Sequence, residues 1–200
     1  MLEVYHFVNP LSGESLETEK KLEAFIAQSS RKLSVQILPV VTMQTIRDTA
    51  QQLGKETNYH LLSKTLYQLA LDTKAVQFQG QKKSRHFLMM IQQALFAGQV
   101  YSDELIFTTL QQIGADKDVF IEDRKSNITI KAHRADQALA ADLGIKQFPT
   151  LIVYDTARHD YAIRLNTISN AALTRIFTHT PQQLRLYNGY LNVDGMTEEG

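Results

Sequence analysis

Ser12 is a side chain of this 200-residue sequence whose type and place could do chemistry. It follows the turn Asn9-Pro10-Leu11 and opens an amphipathic run. A serine at a helix mouth sets its hydroxyl beside unpaired backbone amides, where an anion or carboxylate can be held. The same serine can instead act only as an N-cap, accepting from an amide of the first turn. Sulfur chemistry is absent, because the chain has no cysteine. Without it there is no disulfide, thiolate nucleophile or thiolate-bound metal.

Other chemistry-bearing residues read more plainly. Glu14 and Glu17 share a helix face, but carboxylates in a first turn are accounted for by the helix dipole, as are Asp103 and Glu104. The six histidines, at 6, 60, 86, 133, 159 and 179, are dispersed. A metal site needs several such ligands converging, so no metal is expected. Lys82, Lys83 and Arg85 form the sharpest basic cluster and read as a solvated helix start. Interleaved aromatics for base stacking are sparse, and no glycine-rich phosphate loop is present. No nucleic-acid partner is expected.

Composition sets the frame for these residues. Hydrophobic residues make up 44% and charged residues 21%, with 21 acidic against 21 basic side chains. That profile fits one globular domain without a global field for nucleic acid or an anionic membrane. No apolar run approaches the roughly 20 residues of a membrane span, and the first residues lack a secretory pattern. A cytoplasmic protein without a membrane partner is the expectation.

The elements that must position Ser12 follow from periodicity. Leu2–Val8 reads as a strand ended by Asn9-Pro10, and a helix capped by Ser12 runs to about Ser29. Leu33–Val41 reads as a second strand, parallel to the first. From Thr42 to about Arg124 apolar residues recur at helical spacing, which predicts four or five helices with one covering surface. Ala132 to Leu143 lines another helix, with Gly144 at its exit. Thr150–Tyr154 and Tyr161–Leu165 read as paired strands across a polar turn. A last helix spans Ser169–Phe177, with Leu173, Ile176 and Phe177 toward the sheet. Beyond Pro181 the pattern weakens, and residues 194–200 are expected to fray. Tyr187, Tyr190 and Leu191 could anchor a partner or fold back on the domain.

Three stretches resemble the DsbA-like thioredoxin-fold family in order and spacing. Phe7 to Ser15 is similar to its strand, Asp-Pro turn and Cys-x-x-Cys helix start, with serine in both cysteine positions. Arg85 to Phe96, followed by Asp103 to Gly114, resembles two helices of its inserted subdomain. Leu143 to Thr150, reading Gly-Ile-Lys-Gln-Phe-Pro-Thr after its leucine, resembles the loop carrying the family's cis-proline. The resemblance implies an α/β thioredoxin-like fold with a helical insertion: residues 1–41 and 126–180 as core, 42–125 as insertion and 181–200 as extension. It implies a cis Phe148–Pro149 bond and a binding surface of Leu11, Ser12, Gly13, Glu14, Ser15, Phe148, Pro149 and Thr150.

Within the family the sequence is most similar to a cytosolic branch that includes an adaptor presenting a transcriptional regulator to an ATP-dependent protease. That likeness implies a redox-inactive, cofactor-free protein-binding or adaptor function, with a regulator or protease complex as partner class. A second resemblance, to kappa-class glutathione transferases and related isomerases, rests on the serine two positions after a proline. It would make Ser12 the residue stabilising a glutathione thiolate.

Overall fold

Alternation of apolar residues along three short strands builds the centre of the molecule. In the computed structural model, which describes residues 1–29, 33–54, 57–155, 161–166, 168–178, 190–192 and 197–198, these strands are β1 (Leu2–Val8), β2 (Leu33–Pro39) and β3 (Thr150–Asp155). Successive side chains on a strand point to opposite faces. Leu2, Val4, Val35, Leu151 and Val153 accordingly pack on one face, against Leu22 of α1 (Gly13–Gln28) and Leu173 of α8 (Asn170–Thr178). Phe7, Leu38, Val40 and Ile152 pack on the other, against Ala140 of α7 (Asn127–Asp142).

The sheet order is β2-β1-β3-β4-β5-β6, with β4 at Tyr161–Leu165, β5 at Tyr190–Asn192 and β6 at Thr197–Glu198. β1 and β2 run parallel, joined through α1, and the remaining pairs are antiparallel. β5 pairs with β4, and within residues 194–200, expected to fray, Thr197 and Glu198 form β6 and pair with β5. Tyr187 and the turn residues 156–160 lie outside the described residues, as do residues 193–196, 199 and 200. Tyr190 and Leu191 are placed in β5 by their backbone.

Five helices occupy the stretch expected to be helical: α2 (Met43–Leu53), α3 (Tyr59–Phe78), α4 (Gln81–Phe96), α5 (Asp103–Gln112) and α6 (Lys117–Lys125). Leu69, Val76, Phe87, Leu88, Ile91 and Phe120 close a core that reaches Val8 and Ile37 of the sheet. Two buried charge clusters stitch the helices together. Asp72 accepts from Tyr101 Oη at 2.5 Å and from Arg124 Nε at 2.8 Å. Lys74 pairs with Asp136 of α7 and donates to Gln77 at 2.6 Å.

A third cluster joins helices to sheet, and it corrects the reading of Lys82, Lys83 and Arg85 as a solvated patch. Lys82 is exposed and Lys83 donates to the Gly114 carbonyl at 2.7 Å, but Arg85 is only 5% exposed. Arg85 Nε donates to Glu19 Oε1 at 2.7 Å, and its outer guanidinium nitrogen pairs with Glu23. Glu19 Oε2 lies 2.8 Å from His6 Nδ1. Glu19 is therefore a buried carboxylate held between two partners. Burial pushes its carboxyl up, but the hydrogen bond and charge of His6 and the charge of Arg85 outweigh that and hold it below the usual range.

Breaking a buried ion pair from one side strands the other charge without solvent. Arg85→Ala is expected to lower unfolding free energy by about 3–5 kcal/mol, measured by urea titration at neutral pH. A loss within experimental error would contradict this placement of Arg85.

His133 supplies a pH-dependent test of the α3–α7 interface. It is buried, packs edge-on against Tyr67 with ring centroids 5.6 Å apart, and feels the charge of Lys74, which pairs with Asp136. Burial, then the charge of Lys74, lowers its pKa to about 4 from 6.5. The unfolded chain then binds this proton first as pH falls, so His133 removes stability progressively from about pH 6.5 down to about pH 4. The urea midpoint of wild type should fall across that window more steeply than that of His133→Gln. Parallel profiles would show that His133 is not held neutral.

Candidate functional site

The Asn9-Pro10-Leu11 turn is fastened mainly by the helical insertion. Asn9 Nδ2 donates to the Thr45 carbonyl at 3.2 Å and lies 2.9 Å from the Thr49 hydroxyl, both on α2, while its Oδ1 accepts from Leu11 N. Gln92 of α4 donates to the Pro10 carbonyl at 3.0 Å. These bonds aim the chain into α1.

Ser12 is the N-cap of α1, with an extended backbone, and its Oγ accepts from Ser15 N at 3.4 Å. It is 8% exposed, and Ser15 is 1% exposed with a hydroxyl that makes no hydrogen bond among the described residues. Both serines thus face inward, with Glu19 next along the same helix face. Gly13 is half-buried and Glu14 is exposed.

The second wall is the loop between α7 and β3. Gly144, at φ +60°, leaves α7 in the left-handed conformation that favours glycine. Its amide bonds the Ala141 carbonyl at 2.9 Å and that of Ile145 bonds Ala140 at 2.8 Å, a Schellman exit. The Phe148–Pro149 bond is cis. The Thr150 hydroxyl bonds the Gln147 carbonyl at 2.7 Å and lies 3.0 Å from Asn166 Oδ1, and the Arg164 guanidinium donates to the Leu143 carbonyl.

Between these walls lies an open groove of about 670 Å³. Of the eight residues expected to form the surface, Glu14, Phe148 and Pro149 line it. Ser12, Gly13, Ser15 and Thr150 are not among its lining residues; Ser12, Ser15 and Thr150 are buried and Gly13 is half-buried. Leu11 is the clearest departure, because it is 5% exposed and packs with Ile46, Ala50, Leu62 and Leu66 of α2 and α3. The groove adds residues that sequence reasoning missed: Thr42, Gln44 and Asp48 near α2, Lys146 and Gln147 of the loop, and Asn166. Gln44 and Asp48 sit on the polar side of an amphipathic helix, opposite Ile46 and Ala50. That pattern marks a polar face without saying what it faces.

Among the described residues no group of three or more histidine, aspartate or glutamate side chains is placed to hold a metal, and no helix is long and apolar enough to cross a membrane.

A parallel β1–α1–β2 unit, an inserted helical layer and a cis-proline loop facing the start of α1 define a thioredoxin-like protein of the DsbA type. The chain belongs to the thioredoxin family Thioredoxin_5, which it matches over residues 5–175. Solved structures agree on the fold. A candidate protein disulfide isomerase from Nitrosomonas europaea aligns over 94% of this chain and 99% of its own, with a TM-score of 0.68 and 15% identity. The thiol-disulfide exchange protein α-DsbA2 from Wolbachia pipientis covers 88% of this chain and 80% of its own, with a TM-score of 0.56 and 18% identity. Among curated proteins, the ClpXP adapter protein SpxH is 22% identical in Bacillus subtilis and 23% in Bacillus licheniformis, each over 82% of this chain. The chain spans about three fifths of these relatives' length, 62% and 61%.

If Ser12 and Ser15 stand where the family places sulfur, restoring sulfur should restore its chemistry. Residues three apart in a first helical turn lie within the span a disulfide bridges. Ser12→Cys/Ser15→Cys should form an intramolecular disulfide under mild oxidation, read by mass and thiol counting, and gain activity in insulin reduction over wild type. Free thiols persisting after oxidation would contradict the correspondence.

Proposed function

We propose that this protein is a redox-inactive, protein-binding member of its family that works as an adaptor. The observation that carries the reading is the open groove beside Phe148 and Pro149, kept where both inward-facing sulfur positions hold serine. Thiol–disulfide exchange requires an attacking thiolate, and the chain has no cysteine to supply one. Recognition needs no sulfur. A half-buried Phe148 offers apolar contact, while polar lining residues offer hydrogen bonds to a bound segment.

The likeness to proteins named as ClpXP adapters supports the adaptor role and suggests a regulator and a Clp protease complex as partner class. The glutathione transferase or isomerase alternative would ask Ser12 to meet a ligand. Its hydroxyl caps α1, and Ser12 is not among the residues that line the groove, which favours the adaptor reading.

Affinity capture from the native cytosol tests the adaptor reading, comparing wild type with Phe148→Asp after both show cooperative thermal unfolding. Phe148→Ser serves if the aspartate variant unfolds. A transcriptional regulator or protease subunits retained by wild type and depleted at least about tenfold by the variant is the expected result. Equal recovery would move the surface elsewhere. Turnover of a glutathione-linked substrate with no retained protein would replace this reading with the transferase one.

A further inference from the structure

Glu14 and Asp48 line one side of the groove, and both are exposed. Neither forms an ion pair among the described residues. Asp48 Oδ1 accepts from the Gln44 amide at 2.7 Å, a neutral partner that leaves its charge in place. Gln44, Asp48 and Gln52 repeat every fourth residue and so share a face of α2. Gln52 Nε2 lies 3.2 Å from where a Cβ on Gly13 would sit. That face of α2 is therefore turned to the first turn of α1, beside Glu14. The loop side of the groove carries one exposed cation, Lys146, also without an ion pair among the described residues. Phe148 and Pro149 supply apolar surface within the same groove.

We propose that this groove selects an extended protein segment bearing a lysine or arginine for the Glu14–Asp48 side and an acidic group for Lys146, so that charge sets the direction in which the segment lies. This rests on the protein-binding reading and narrows it. The chain as a whole is neutral, so the field a segment meets is local, with two negative charges on one wall and one positive charge on the other. An uncharged segment could cover Phe148, but it would desolvate the carboxylates while leaving their charge uncompensated, a cost that discriminates against it. A nucleic-acid strand would bring phosphates to those same carboxylates. The occupant that satisfies all three charges is a peptide with opposite charges at a fixed separation.

The test uses random dodecapeptides displayed on phage, selected against the purified full chain and then measured by fluorescence anisotropy. Selected peptides should carry Lys or Arg and Asp or Glu at a constant spacing and bind more weakly as salt rises. Affinity should fall roughly tenfold for Glu14→Lys/Asp48→Lys, and exchanging the peptide's basic residue for glutamate should recover binding to that variant. Glu14→Gln/Asp48→Asn should give a smaller loss and keeps the comparison if reversal perturbs the start of α1. Selected peptides without a charge pattern, equal affinity for wild type and both variants, or no selected peptide at all would overturn the proposal. Phe148→Asp, measured in parallel, separates the two levels. Peptides lost by Phe148→Asp but indifferent to the charge variants remove only the charge assignment, whereas indifference to all variants removes the groove itself.

Discussion

The carboxylate of Glu19, buried between His6 of β1 and Arg85 of α4, is the contact on which the candidate site's geometry depends. Buried ion pairs add little net stability over apolar packing, because desolvation offsets their attraction, but they are strict about geometry. Glu19 can reach both partners in one rotation of α1 about its axis. That rotation turns Ser12 and Ser15, seven and four residues earlier on the same face, toward the interior. Glu14, roughly 140° round the helix from Glu19, is left on the outside. One buried charge thus decides which end-of-helix side chains are structural and which can meet a partner.

The inserted helices do more than cover the sheet. Arg85 reaches Glu19 from α4, Gln92 of the same helix holds the Pro10 carbonyl, and Thr45 and Thr49 of α2 hold Asn9. The insertion therefore fixes both the position and the orientation of the α1 start. α7 spans the two parts, with Asp136 paired to Lys74 of α3 and Ala140 packed against the sheet. Its glycine exit then sets where the Ile145–Pro149 side of the groove begins.

Much of this was legible in the sequence. Alternation marked β1, a compact β-forming run and its partner across a polar turn marked β3 and β4, and turn residues gave the ends: Asn9-Pro10 closes β1, and Gly144 closes α7. Ser12 was readable as a cap because its chemistry is local. Around the site, the departures all concern what a residue faces, which local pattern does not encode. Leu11 follows a turn and reads as free to touch a ligand, but α2 and α3 fold over it. Arg85 sits in a run of cations and reads as solvated, until the approach of α1 gives it two carboxylates. Asp48 was invisible as a site residue because only tertiary packing brings the polar face of α2 beside Glu14. Family likeness located the cis-proline loop, whereas it did not single out Asp48 or Lys146 of the groove.

Hydrogen–deuterium exchange on the complex recovered by capture, against the free chain, tests most directly whether the groove is the working surface. Amides report burial by a partner segment by segment, without altering the protein. The account predicts slowed exchange in the first turn of α1, over residues 42–48 and over residues 145–150, with little change at the far end of α1. Protection confined to other segments, with those three unchanged, would contradict it.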